Sequence, residues 1–510
     1  MKVNTVLALV AFLAVATALG KLHQAREATR VTAADVAGTP VKVYRPAGRP
    51  AGPVVLIAHG FAGSQQLMQS FALTFARNGY IAVTFDFLGH GRNPAPLTGS
   101  ITDPNGATRA LVSQTKDIAA YARGLGDGRL AVLGHSMASD IVVRFAQSSP
   151  DVTATIAVSM FSPAVTATTP RNLLVIVGDW ESLLKREALR AVGLASAPAA
   201  AQAGVTYGDT AQGTGRRAAF SAQVEHVSVL FSQDSMREAL GWLDQSFGIT
   251  RTQPPVLDRR GPWIILLIAG VVMLARPLST LLPRIAAPGI GAGLEWRRLW
   301  IPLVVPMLAT PLFLRVLPTH FLPVLVGDYL AAHFAMYGLI TALCLIWMRR
   351  ARAGGSMVPT EPPAAALALA GASVAVIAYG FVALVWPIDE YFTSFVPGRE
   401  RLVLVLAMLI GTLAYFLSDE WLTRGNGGAR GAYVASKLAF LISLAIAVAL
   451  DLERLFFLII IVPVIVLFFL VYGLFSRWTY ASTGHPFVAG VANAVAFAWA
   501  IGVTFPLLAG

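Results

Sequence analysis

The chain is 510 residues long, too long for one ordinary core, and 56% hydrophobic with only 13% charged residues, where a soluble domain carries about a quarter. Its net charge of +12 comes largely from arginines that flank apolar segments, with no basic stripe interleaved with aromatics, so no nucleic-acid partner is expected. One cysteine, Cys344, excludes an intrachain disulfide and any cysteine-based zinc cluster, and no metal or other cofactor is expected.

In chain order, Met1-Lys2 leads an apolar run from Val3 to about Gly20, with the small residues Ala16 and Ala18 near its end. Residues 1–20 read as a signal anchor or a signal peptide, the anchor being favoured. Residues 31–250 then read as one domain, in which strand-length apolar runs alternate with helical patterns from about Val41 to Phe247. Strands are predicted at Val54–Ala58, Ile81–Phe85, Leu130–Leu133, Thr155–Ser159, Leu173–Val177 and Ala218–Val224, and helical stretches include Gln66–Asn78 and Ala107–Leu125. That alternation predicts a doubly wound, mostly parallel α/β sheet. Residues 251–262, with Gln253-Pro254-Pro255, read as a linker.

From 263 to 510 the character changes to an all-α, multi-pass membrane domain of about eight helices. They are placed near 263–280, 299–317, 328–348, 364–386, 402–418, 432–450, 455–475 and 487–508, each close to the length that crosses a bilayer core of roughly 30 Å. One alternating set of connections holds Arg276, Arg284, Arg297, Arg298, Arg349, Arg350, Arg352, Arg424, Arg430 and Arg477. The other holds Arg315, Arg399, Arg401 and Arg454 beside the acidic Asp389, Glu390, Asp451 and Glu453. The positive-inside rule makes the first set cytoplasmic in a multi-pass protein of the cell membrane, and places the α/β domain outside the cytoplasm. Asp328, His333 and Lys437 are ionisable residues in or at the ends of spans. Such groups are either functional or reach the headgroups.

Chemistry concentrates in the α/β half. Leu130-Ala131-Val132-Leu133-Gly134-His135-Ser136-Met137-Ala138 is an apolar run entering Gly-x-Ser-x-Ala, followed by a helical stretch from Ser139 to Gln147. This is a nucleophile-elbow pattern. The tight turn needs small neighbours, and it lifts the Ser136 hydroxyl to the carboxyl edge of the sheet. Upstream, Val54–Ala58 runs into His59-Gly60-Phe61-Ala62-Gly63-Ser64, a turn whose Phe61 N–H would join that of Met137 in an oxyanion hole. Next comes Phe85-Asp86-Phe87-Leu88-Gly89-His90-Gly91-Arg92.

Together the three motifs resemble the α/β-hydrolase superfamily, most of all its dienelactone-hydrolase-like and lysophospholipase-like esterases, over roughly residues 40–247. The resemblance implies that Asp86 and His90 are structural. It also implies a triad in the order serine, acid, histidine. After the strand Leu173–Val177, Gly178-Asp179-Trp180-Glu181 offers Glu181 as the acid, with Asp179 as the alternative; either would also suit the start of the helix Leu183–Val192. His226, between the strand Ala218–Val224 and a closing helix Val229–Phe247, is the base. The expected chemistry is a serine hydrolase's: cleavage of a carboxylic ester, from a small-molecule or lipid-like substrate, through an acyl-enzyme. Ser159 to Leu173 leaves no room for the helical lid that family members carry there, so the pocket is open or covered by another part of the chain. The competing expectations are a transporter or lipid-handling protein with an accessory hydrolase domain, a non-catalytic domain of the same fold, and peptidase or acyltransferase chemistry on the same triad. Substrate identity and protein partners are not legible.

Overall fold

The computed structural model describes residues 2–27, 29–48, 52–100, 103–195, 200–352 and 363–509. The chain divides into two compact units. One comprises Ala16–Leu267 with Ile388–Phe395 and Pro506–Gly510; the other comprises Met1–Val15, Ile268–Pro387 and Val396–Phe505.

The first unit is an α/β-hydrolase fold. Its strands are β1 (Thr29–Val36), β2 (Thr39–Pro46), β3 (Val54–Ala58), β4 (Ile81–Phe85), β5 (Leu130–His135), β6 (Val152–Val158), β7 (Leu173–Gly178), β8 (Thr206–Tyr207) and β9 (Arg216–Ser221). They form one sheet in the order β1-β2-β4-β3-β5-β6-β7-β9-β8. β4, β3, β5, β6, β7 and β9 run parallel; at one edge β2 pairs antiparallel with β4 and β1 antiparallel with β2, and at the other β8 pairs antiparallel with β9. The central strands read as unbroken apolar runs because both faces are covered. Along β3, Val55 and Ile57 enter one core with Phe71, Phe75, Trp242 and Leu243, while Val54, Leu56 and Ala58 enter the opposite one with Ile118, Val142 and Phe145.

The helices on these faces follow, with α1 (Lys2–Gln24) reserved for the N-terminal run: α2 (Gln69–Arg77), α3 (Arg109–Arg123), α4 (Met137–Gln147), α5 (Ser182–Gly193) and α6 (Gln233–Phe247). The hairpin β1–β2 and the two-residue β8 were not predicted. β1, Thr-Arg-Val-Thr-Ala-Ala-Asp-Val, is an edge strand mostly open to solvent, so it lacks the buried-strand signature. The predicted strand Ala218–Val224 begins and ends earlier, because polar Arg216 and Arg217 pair with β7. The predicted linker is held down along its length. Arg251 pairs with Asp244, the Val256 N–H donates to Asn78 (3.1 Å), the Asp258 N–H donates to Thr74 (3.0 Å), and Arg260 pairs with Asp258 (2.8 Å).

The second unit is helical, built on α8 (Trp296–Val316), α9 (Gly327–Arg352), α10 (Pro363–Gly380), α12 (Arg399–Thr423), α13 (Ala432–Leu450), α14 (Leu452–Thr483) and α15 (Pro486–Thr504), together with the start of α1, α7 (Arg260–Ser279) from Ile268 onward and α11 (Trp386–Tyr391) as far as Pro387. Among the described residues nine segments are long and apolar enough to cross a membrane, α1 included, with α10 and α11 counted in one segment, Ala365–Tyr391. The predicted last span, 487–508, stops at Thr504, because the residues after Phe505 leave the helix and pack in the first unit. Small residues bring the central helices together: a Cβ on Gly338 would lie 2.3 Å from the Ala414 backbone, and one on Gly411 would lie 2.3 Å from the Ala331 carbonyl. α1 lies against α7 in the same way, with Gly270 facing Ala11 and Val15.

Lys437 is buried in the second turn of α13, in an ion pair with Asp419 and within reach of the Tyr415 hydroxyl at 3.2 Å. Asp419 and its neighbour Glu420 fall just beyond the predicted span 402–418, since their charge ends the apolar run although α12 continues to Thr423. Asp328 sits at the start of α9, where it accepts the Tyr329 N–H (2.7 Å). His333 is fully buried among Tyr329, Tyr337 and Phe440.

Candidate active site

Ser136 occupies a sharp turn between β5 and α4, with φ 54° and ψ −119°. A non-glycine residue there is strained by roughly 1–3 kcal/mol, and the surrounding contacts hold it. The Ser136 N–H donates to the Val158 carbonyl (2.9 Å), and a Cβ on Gly134 would lie 2.3 Å from the Ala138 carbonyl, so glycine at 134 is a steric requirement.

The three side chains singled out in the sequence meet at this edge. His226 Nε2 lies 2.8 Å from Ser136 Oγ, and His226 Nδ1 lies 2.6 Å from Glu181 Oε1. A carboxylate only accepts, so Nδ1–H donates to Glu181 and Nε2 is left to accept the serine proton. Glu181 Oε2 takes two further donors, the Ser159 hydroxyl (2.7 Å) and the Gly178 N–H (2.7 Å). Burial pushes this carboxyl up, but the hydrogen bonds from His226, Ser159 and Gly178 outweigh it and hold Glu181 below the ordinary carboxylate value. Asp179 points elsewhere: it pairs with Lys185 at 2.6 Å on the exposed side of the same loop.

His135, inside the motif, was not singled out by sequence. Its Nε2–H donates to the backbone carbonyl of His226 (2.9 Å), and the two rings lie 4.9 Å apart. Burial first, then the neighbouring His226, lowers His135 to about 3, so it is a neutral strut beneath the other imidazole. Its only sequence signal was its place next to the serine.

The turn from His59 to Ser64 presses on the serine. A Cβ on Gly60 would lie 3.0 Å from both Ser136 Cβ and His135 Nδ1. His59 is buried and neutral, its pKa lowered chiefly by burial: Nδ1–H donates to the Gly60 carbonyl (2.8 Å) and Nε2 accepts the Phe87 N–H (3.1 Å). Asp86 accepts from the Gln65 N–H (2.8 Å), the Gln65 side chain (3.0 Å) and the Arg92 N–H (3.1 Å), tying this turn to the loop after β4. Phe61 follows Gly60 in the turn, and Met137 opens α4 directly after Ser136. Between β6 and β7, residues 159–172 form no helix. Among the described residues no group of three or more His, Cys, Asp or Glu is placed to hold a metal ion.

Residues 49–198 match the family described as serine aminopeptidase, S33. No curated protein matches the chain. Among solved structures, a CIB-like hydrolase from Thermoplasma acidophilum is 17% identical with a TM-score of 0.33, over 42% of this chain and 98% of that one. A putative dienelactone hydrolase from Klebsiella pneumoniae is 16% identical with a TM-score of 0.31, over 44% of this chain and all (100%) of the other. A membrane phospholipase A, described as a bacterial virulence factor, is 14% identical with a TM-score of 0.31, over 47% and 93%.

Proposed function

We propose that this α/β-hydrolase domain belongs to a membrane-bound serine hydrolase that cleaves carboxylic esters, with Ser136 as nucleophile, His226 as base and Glu181 as the acid. The observation that carries it is the unbroken relay from Ser136 Oγ through His226 to Glu181 on a strained strand-to-helix turn. Ser136 Oγ attacks the ester carbonyl as its proton passes to His226 Nε2, and the Glu181 carboxylate stabilises the imidazolium. The oxyanion is held by the N–H groups of Phe61 and Met137. Collapse breaks the bond to the alcohol, which takes the proton from Nε2 and leaves an acyl-serine. Water then attacks that ester, giving its proton to the same nitrogen, and collapse breaks the bond to Ser136 Oγ, which takes that proton from Nε2 as the acid is released.

An apolar rim supports a substrate with a hydrocarbon chain, such as a lipid-derived ester. Phe161 and Trp180 are 63% and 67% exposed on the loops after β6 and β7, Leu183 is 62% exposed in the first turn of α5, and Val227 adjoins His226. Those loops are neighbours, because β6, β7 and β9 are adjacent strands. The candidate spans support a membrane location, the arginine distribution supports a hydrolase domain outside the cytoplasm, and the packing of α1 on α7 supports a retained anchor.

The test is fluorophosphonate labelling of the purified full chain, followed by ester hydrolysis across chain lengths, with aminoacyl anilides included because the matched family is named for aminopeptidases. Ser136→Ala should abolish labelling and cut turnover by about four to six orders of magnitude. If cellular function survives Ser136→Ala, the helical half carries it and the hydrolase domain is accessory.

A further inference from the structure

The segment Ile388–Phe395 lies in sequence where the span Ala365–Tyr391 ends, ahead of the span Arg399–Thr423, yet it packs with the hydrolase domain. Its contacts are specific. The Ser394 N–H donates to Ser64 Oγ (2.7 Å), and the Thr393 and Ser64 hydroxyls are hydrogen-bonded at 3.1 Å. Arg26 pairs with the Glu390 carboxylate, and both Arg26 and Gln69 donate to the Glu390 carbonyl at 3.1 Å. Arg92 pairs with Asp389, whose other oxygen accepts the Phe395 N–H (2.8 Å) and so folds the segment back on itself. The Phe392 ring stacks on Phe231, with centroids 6.0 Å apart and planes 8° from parallel. Eight residues thus reach the end of the oxyanion turn, the loop after β4, the first turn of α2 and the turn that follows His226.

Ser64 is the informative contact. Its side chain is fully buried, and among the described residues both hydrogen bonds of its hydroxyl come from this segment. Ser64 closes the turn that carries Gly60 and Phe61. The other end of the turn is fixed from within the domain by His59 and Phe87. Gly60 lies so near Ser136 that a Cβ on it would come within 3.0 Å of Ser136 Cβ, which couples the position of the turn to the serine.

We propose, resting on the reading of Phe61 N–H as an oxyanion donor, that Ser64 is a positioning residue and that Ile388–Phe395 is a strap that completes the oxyanion hole. The strap makes turnover depend on a segment suspended between two apolar helices. A strap with this task alters stabilisation of the tetrahedral oxyanion and leaves ground-state binding alone.

The experiment uses the full chain in detergent micelles, with rates expressed per fluorophosphonate-reactive serine so that unfolded protein does not count. Ser64→Ala and Thr393→Val should each lower kcat for a p-nitrophenyl ester by about tenfold, a fraction of what loss of a whole oxyanion donor costs. KM should stay within about twofold, while affinity for a trifluoromethyl ketone, which forms the tetrahedral adduct, should fall in parallel with kcat. Thr393→Ser, which keeps the hydroxyl, should behave as wild type. Unchanged kcat in both variants overturns the proposal, and so does an equal loss of ketone and product-carboxylate affinity, which would mean general loosening. If the wild-type chain is not labelled at Ser136, the hydrolase reading fails and takes the strap with it. Labelling that is normal while Ser64→Ala and Thr393→Val leave kcat untouched refutes the strap alone.

Discussion

Replacing Glu181 by glutamine tests the site through its hydrogen bonds rather than its shape. In the native chain Oε2 accepts from Ser159 and from the Gly178 N–H, while Oε1 accepts from His226. Glutamine must put its carbonyl on one side and its NH2 on the other. The Gly178 N–H can only donate, so the carbonyl is drawn to the Oε2 position and the NH2 faces His226 Nδ1. That imidazole then carries its proton on Nε2, pointing at Ser136, and cannot act as a base. The flipped amide restores the tautomer but sets NH2 against the Gly178 N–H, an unsatisfied buried pair costing about 1–3 kcal/mol. That cost alone slows turnover by about 5- to 150-fold, at 1.36 kcal/mol per decade. Loss of the charge that stabilises the imidazolium adds to it, up to the roughly 10⁴-fold that such a substitution produces in a serine triad. We expect kcat for a short p-nitrophenyl ester to fall by about 10²- to 10⁴-fold, with fluorophosphonate labelling slowed alike. Asp179→Asn, which breaks only an exposed pair with Lys185, should leave kcat within about twofold. A loss under about fivefold in Glu181→Gln, or a collapse in Asp179→Asn, refutes this assignment of the acid.

Acid should weaken the hydrolase domain through His135. Its folded pKa of about 3 lies below the unfolded value near 6.5, so between those limits the unfolded chain binds the proton first and stability falls as pH drops. The slope reaches about 1.4 kcal/mol per pH unit, and Tm measured from pH 7 to 4 should fall less steeply in His135→Gln; equal slopes would contradict the strut role. Glu181, held below its ordinary value, acts in the same direction, its contribution being lost as pH falls through its lowered folded pKa. In the helical half, Lys437→Met leaves Asp419 buried without its cation and should cost about 3–5 kcal/mol in a detergent melt, while Lys437→Met with Asp419→Leu should regain most of it. A single variant as stable as the parent would show that the pair is not holding α12 to α13.

The site was legible where chemistry constrains local sequence. Ser136 needs small neighbours in a tight turn, and His226 stands alone between a strand and a closing helix, so type and order single out two side chains that lie 2.8 Å apart. The choice between Glu181 and Asp179 rests on two residues of spacing, and it takes coordinates to see that Ser159 and Gly178 fix the first while Lys185 draws off the second. Other features had no local signature. β1 is a solvated edge strand, and Asp419 was cut from α12 because hydropathy ends a span at a charge even when that charge is paired inside. Thr393 and Ser394 look like an ordinary polar connection between apolar runs. Their meaning comes from Ser64, more than three hundred positions away.

The residues beyond α15 carry a consequence for how the protein is made. Leu507 donates to the Gly89 carbonyl (2.9 Å), accepts from the Leu97 N–H (2.8 Å), and is followed by Ala509 donating to the Leu97 carbonyl (2.9 Å). Gly89 and Leu97 leave the ribosome early, while their partners emerge only after every apolar helix has been synthesised. The α/β sheet can close long before then, since its strands are local to the first half of the chain, but the loop after β4 waits. Arg92, which pairs with the strap, sits between those two anchored positions. The strands around Ser136 are thus available for pairing long before the residues that fasten the loop after β4 have been made.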